Sequence, residues 1–415
     1  MKKIKKIAFF ACIVILSFSL FSQEVAKEVL VVNIEVPVRV FKGSTFVDNL
    51  SINDFEVFEE GIPQKVEAVY LVKKRTIERS EEKKEFAPIT SRNFYLFFEI
   101  SEYTGKIGNA MSYFVKNVLF PGDNLTVVTP RKTYRMKSKT LEILPKEKII
   151  NDLRGMVRRD AYVGNLEYNS TYDDIASLAR SLTTTLSSAV GGGSKSGDEF
   201  SAFGDSSFSD MSVEVQISLY RDLLRRLEHL RKVDQSKLLD FAKFLKDKEG
   251  QKYIFMFYQR EFIPQIEPAI LNQAMEQYQN RPEILHKISD LIHLYKREIT
   301  FDVDLVKQAY ADSSVSIHFL FIARPAKRVF GVYMEEHSED IYAAFREMAS
   351  ATGGISDSSA NPVSLCQKAV EAAENYYLLY YSPQNYKKDG KFKQIKVRAR
   401  DKNYKVLHRA GYFAN

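Results

Sequence analysis

The chain has 415 residues, of which 45% are hydrophobic and 27% charged. This excludes a disordered protein and supplies enough apolar material for two or more compact units. The formal charge of +7 falls to +3 without the four lysines that precede residue 7, which gives no argument for a nucleic-acid partner.

Residues 1–23 follow the three-part pattern of a secretory signal. Lys2, Lys3, Lys5 and Lys6 lead into an apolar run from Ile7 to Phe21, and Ser22 and Gln23 close it. Fifteen apolar residues fall short of the roughly 20 needed to cross a bilayer as a helix. The expectation is cleavage and export to the periplasm or cell surface, with no membrane span in the mature chain. Cys366 is then the sole cysteine, so no internal disulfide can form and the core alone must hold the fold.

From Leu30, residues Leu30, Val32, Ile34, Val36, Val38 and Val40 alternate with a mostly polar set, the period of a strand with one buried face. Pro37 cannot donate to a ladder and predicts an edge position. Asp54 to Phe58 reads as a strand that Glu59-Glu60-Gly61 turns into a returning strand over Val66 to Val72. The charged run Lys73 to Lys84 has no apolar period and reads as a solvated connector. Phe94 to Ile100 is a buried strand running into Ser101, Glu102 and Tyr103. Ile107, Ala110, Met111, Phe114, Val115 and Val118 form a helical stripe behind it. Pro121-Gly122-Asp123 turns into a short strand, Leu125 to Thr129.

Residues 142–248 are mostly helical in pattern, interrupted by a Gly/Ser-rich insert at 187–212. Leu219, Leu223, Leu227 and Leu230 form a packing stripe there. Tyr253 to Phe257 and Val315 to Ile322 are further buried strands, and Tyr376 to Tyr381 follows a helix near Pro362 to Ala373. Strands alternating with helices over 94–381 predict a parallel sheet covered on both faces. β segments flank this unit, 24–80 before it and 384–415 after it. A lone hairpin is marginal in water, which predicts that residues 28–75 and 384–413 pack as one smaller β-sandwich-like domain carrying the α/β unit, 90–383, as an insert.

Several segments together resemble the von Willebrand factor type A-related proteins of acidobacteria and other bacteria. The likeness rests on Leu50 to Lys65, Pro121-Gly122-Asp123, Gly250-Gln251-Lys252 and Ala351-Thr352-Gly353-Gly354. Its most specific part is the closing run: Tyr376 to Pro383, Asp389 to Phe392 and Arg409 to Tyr412. The resemblance implies a doubly wound, mostly parallel α/β sheet with a metal-ion-dependent adhesion site in loops at its strand ends. Such a site uses an Asp-x-Ser-x-Ser loop, a Thr from a second loop and an Asp from a third. Matched onto it, Glu99 stands at the Asp position, Ser101 at the first Ser and Tyr103 at the second. Thr171 matches the second loop, and Gln259 stands where the third loop has its acid. A Mg²⁺ sphere wants compact oxygen ligands at about 2.1 Å. Glu is one methylene longer than Asp, Tyr offers no compact hydroxyl and an amide brings no charge. The implied site is therefore degenerate, and no metal or other cofactor is expected.

No Gly-x-Ser-x-Gly elbow, phosphate loop or His-Glu-x-x-His helix occurs. His286 and His293 share a helical pattern without an evident third ligand. The expectation is an exported, non-enzymatic binding or scaffolding protein that presents Glu99, Ser101, Glu102, Tyr103, Thr171 and Gln259 to a protein partner. Two alternatives stand beside it. One is an atypical Mg²⁺ or Ca²⁺ site drawn from Glu99, Ser101 and Asp173 or Asp174; the other is a hydrolytic enzyme with a dispersed site.

Overall fold

Alternating apolar residues build the first strand, β1 (Ile34–Lys42), which buries Ile34, Val36, Val38 and Val40. The structure, a computed structural model, describes residues 32–190, 208, 211–295, 299–329 and 331–415. The predicted signal, 1–23, lies outside them, as do 191–207, 209 and 210 of the predicted insert. β2 (Thr45–Phe46), β3 (Phe55–Glu59), β4 (Ile62–Gln64), β5 (Val66–Lys73) and β6 (Thr76–Glu82) follow. β6 corrects the reading of Lys73 to Lys84 as a connector, because it pairs antiparallel with β5 at a sheet edge. Charged side chains are what an exposed edge strand carries to avoid pairing with another chain.

Next come β7 (Arg92–Glu99), α1 (Gly105–Asn117), β8 (Asn124–Val128), β9 (Thr133–Met136), α2 (Ser138–Ile143), α3 (Lys146–Gly164) and α4 (Leu166–Val190). α5 (Val213–Leu230) and α6 (Gln235–Lys246) lead to β10 (Gln251–Gln259), β11 (Phe262–Gln265), α7 (Pro268–Gln277), α8 (Pro282–Leu294) and α9 (Val303–Asp312). β12 (Val315–Ile322), β13 (Tyr333–Glu336), α10 (Glu339–Ala351), β14 (Ser356–Ser359) and α11 (Pro362–Glu374) complete this stretch. The central sheet has the order β14-β12-β10-β7-β8-β9 and is mixed: β9 runs antiparallel to β8 at one edge. Phe94, Leu96 and Phe98 pack with α1, α3 and α11 on one face, and Tyr95, Ile254 and Phe319 with α6, α9 and α10 on the other. A separate cluster joins α4, α5, α7 and α8 through Leu182, Tyr220, Leu224, Leu227 and Ile288.

The chain ends in β15 (Asn375–Tyr381), β16 (Phe392–Ala399), β17 (Lys405–His408) and β18 (Gly411–Phe413). The expected fold, a doubly wound, mostly parallel sheet inserted in a smaller β domain, is corrected here. β15 does not join the central sheet; it lies between β1 and β5, antiparallel to both. The resulting sheet, β17-β1-β15-β5-β6 with β2 on β1, has as many strands as the central one. Two further sheets, β18-β16-β3-β4 and β11-β13, are also antiparallel. A fully buried apolar run such as Tyr376 to Tyr381 reads alike between helices and between sheets, which is why its pattern misled. Its tyrosines tie layers together: Tyr377 donates to Val47 O at 2.9 Å, and Tyr381 and Tyr412 both donate to the Glu59 carboxylate, at 2.7 and 3.1 Å. β1 is likewise internal and not an edge; Pro37 is tolerated because β17 pairs only with Val38 to Phe41.

Thr352-Gly353-Gly354 passes between β12 and β17. A Cβ on Gly354 would land on the Ile317 carbonyl, and Gly353 has φ of 69°, with a Cβ built there lying only 2.9 Å from His408 Cα. Gly354→Ala is expected to cost about 1–3 kcal/mol by overpacking against backbone that cannot step aside. Urea unfolding measures it, and a loss within experimental error would show that the two strands can part.

His318, on β12, is fully buried, and neither ring nitrogen has a hydrogen-bond partner among the described residues. Burial, with the nearby Arg39 charge, holds its pKa well below the usual 6.5. The ring is therefore neutral when folded but takes a proton on unfolding below about pH 6.5, so stability drops by up to about 1.4 kcal/mol per pH unit beneath that point. His318→Phe is expected to flatten this part of the acid slope between pH 6.5 and 5; an unchanged slope would place the titration elsewhere.

Candidate functional site

β14, β12, β10 and β7 are mutually parallel, so their carboxyl ends meet at one edge of the central sheet, where open α/β sheets hold ligands. Gln259 is the last residue of β10 and is 3% exposed. Its Oε1 accepts from Ser101 N at 3.1 Å, Ser101 Oγ at 3.3 Å and Glu102 N at 3.0 Å, while its Nε2 donates to Glu102 O at 2.8 Å. Two backbone N–H donors fix which end of the amide is the oxygen. From the other side Asn165, at the end of α3, donates to Ile100 O at 2.9 Å and Ala161 O at 2.7 Å. Two side-chain amides thus brace the loop after β7.

A cleft of about 840 Å³ opens above this loop, bounded by the start of α1, the end of α3, α4 and the segment after β12. Tyr103, Tyr162, Tyr168 and Tyr172 line it. Tyr168 and Tyr172 are one helical turn apart on α4 and stack at 6.3 Å. Loss of water raises the pKa of the Tyr103, Tyr168 and Tyr172 hydroxyls, so they stay protonated and able to donate. Lys106, Arg158, Arg324 and Lys327 face the same space against two carboxylates, Glu102 and Asp173. Arg324 holds the loop ends together, donating to Arg260 O at 2.9 Å and bridging Glu102 at 3.3 Å.

The structure brings Ser101, Glu102, Tyr103 and Gln259 together at the cleft. It does not bring Glu99 or Thr171 there. Glu99 alternates onto the sheet face of Tyr95 and Phe97, and its side chain stays part of the exposed surface. Even so, the protein around it strips enough water to raise its carboxyl pKa. Thr171 lies within α4 rather than in a loop, is 2% exposed and does not line the cleft. Tyr103 packs over Gly108, where a Cβ would strike its hydroxyl, so it braces the first turns of α1. Sequence reasoning missed the cations and Asn165; the helix-stop pair Gly164-Asn165 and the i, i+4 tyrosines of α4 were the available signals.

Among the described residues, no group of three or more His, Cys, Asp or Glu could hold a metal ion. The Ser101 hydroxyl is engaged by Gln259, and no histidine or cysteine lines the cleft. His286 and His293 are exposed on α8. Among the described residues no helix is long and apolar enough to cross a membrane. No protein-family model, curated protein or solved structure matches the chain.

Proposed function

We propose that the chain is an exported, non-enzymatic binding protein that takes a protein partner in the cleft at the carboxyl edge of the central sheet. The observation that carries this reading is the Gln259 amide, whose oxygen and nitrogen both bond the loop after β7. The loop is held in shape without an ion, and the tyrosines and cations around it are left to meet a ligand. A large, preformed, partly apolar cleft with a few convergent polar groups is the usual form of a binding site. The resemblance at Leu50 to Lys65 and in the closing run adds support for an exported binding role.

The test is photocrosslinking in cells from an aryl-azide side chain at Tyr172, with Ile77 on β6 as an exposed site far from the cleft. A discrete adduct is expected from position 172 and not from 77. The same adducts from both, or none from 172, would overturn the cleft as the contact site.

A further inference from the structure

The cleft selects for charge as well as for shape. Lys106 on the first turn of α1 and Arg158 on α3 are exposed, and neither has an ion-pair partner among the described residues. On the opposite side Lys327 is held only loosely, 3.9 Å from Asp173 with both side chains mostly exposed, a contact of negligible strength. Arg324 is committed to Glu102 and to the Arg260 carbonyl. Positive charge therefore stands uncompensated on the rim formed by α1 and α3, while the two cations of the opposite rim face two carboxylates; Tyr168 and Tyr172 lie alongside, and Ile322, Phe262 and Pro362 add apolar lining.

We propose that this cleft binds an acidic peptide segment in extended form, its carboxylates meeting Lys106 and Arg158 and its apolar side chains lying on Tyr168 and Tyr172. The proposal rests on the reading of the cleft as the partner site. A volume of about 840 Å³ is far too large for a single inorganic anion. Sugar recognition would need free amides and carboxylates aimed at hydroxyl groups, whereas the Gln259 amide bonds the loop through both its oxygen and its nitrogen and Glu102 is paired with Arg324. Aromatic walls flanked by cations suit prolines and apolar side chains spaced by acids. The tyrosines supply the buried area, and the cations set orientation and speed of encounter.

The probe is a fluorescein-labelled peptide of Glu-Pro-Leu repeats, titrated by anisotropy with the full mature chain. Gln-Pro-Leu and Lys-Pro-Leu repeats and a sulfated oligosaccharide are the comparisons. The glutamate peptide is expected to bind at least about tenfold more tightly than the glutamine one and to weaken with added salt. Lys106→Glu with Arg158→Glu is expected to lower its affinity by about tenfold or more, while Lys388→Glu, on an exposed loop elsewhere, leaves it unchanged. Equal binding of the three peptides, preference for the oligosaccharide, or indifference to charge reversal at 106 and 158 would overturn the assignment. A crosslink at position 172 that persists while the glutamate peptide fails removes the acidic-peptide reading alone; loss of both removes the cleft as well.

Discussion

Replacing Arg92 with leucine is expected to destabilise the folded chain by about 3–5 kcal/mol. Arg92 opens β7 and is 1% exposed; its Nε and Nη2 reach the Asp123 carboxylate at 3.1 and 2.6 Å, and Nη2 also meets Val118 O at 2.9 Å. Asp123 is fully buried and uses the same carboxylate to accept from Phe120 N at 2.9 Å, closing the Pro121-Gly122 turn. The guanidinium also lies 4.9 Å from the Phe94 ring and 5.3 Å from the Phe120 ring. Removing the cation leaves a carboxylate without water or counterion, which costs more than the pair itself contributes. Arg92→Leu combined with Asp123→Leu should therefore lose much less than the sum of the two single changes. Urea unfolding of the three variants measures the coupling, and single losses below about 1 kcal/mol would mean that water reaches the pair.

Gln259→Ala is expected to lower stability by about 1–3 kcal/mol and partner affinity by more, since both backbone N–H groups and the Glu102 carbonyl lose their brace. A loop that must be ordered on binding takes its ordering cost from the affinity, about tenfold here for one or two freed residues. Gln259→Glu separates the donor from the acceptor role. Its carboxylate can still accept from Ser101 and Glu102, yet it faces the Glu102 carbonyl with no hydrogen to offer. Protonation restores that hydrogen, so the introduced carboxyl has a raised folded pKa and the deficit should shrink as pH falls from 7 toward 4. Unfolding midpoints across that range check the sign, and a variant as stable as the parent throughout would show that the amide does not hold the loop.

The strands and helices of the central layer were legible because each carries a clean period: Phe94 to Ile100 as a buried run, and Ile107 to Val118 as one stripe. Their arrangement was less so. The buried run of β15 states only that both faces are covered, and nothing in it distinguishes helices from a second layer of strands. β6 was hidden by its charges, although pairing with β5 needs only its backbone. On α5 the expected stripe covers part of the packed face: Leu227 is buried and Leu219 and Leu223 pack partly buried against the same cluster, Ile217, Tyr220 and Leu224 complete it, and Leu230 is exposed. Several leucines on adjacent faces made the choice ambiguous.

Ser101, Glu102, Tyr103 and Gln259 lie together at the cleft because they sit at the carboxyl ends of neighbouring parallel strands, a placement that depends on topology and not on side-chain chemistry. Glu99 lies off the cleft lining because successive residues along a strand serve opposite faces. Thr171 is off the cleft lining too, inside a 25-residue helix and not in the loop that the resemblance implies. The cations were missed for a different reason. Lys106, Arg158, Arg324 and Lys327 come from three separate segments, and only the packing of α1, α3 and the loop after β12 places them around one space.

A crystal of the mature protein grown in magnesium chloride is the most direct test of the central claim that an amide, and not an ion, shapes the cleft. Gln259 is expected to remain bonded to Ser101 and Glu102, with no ion among them. A six-coordinate magnesium on Ser101 Oγ, with the Gln259 side chain swung aside, would contradict it.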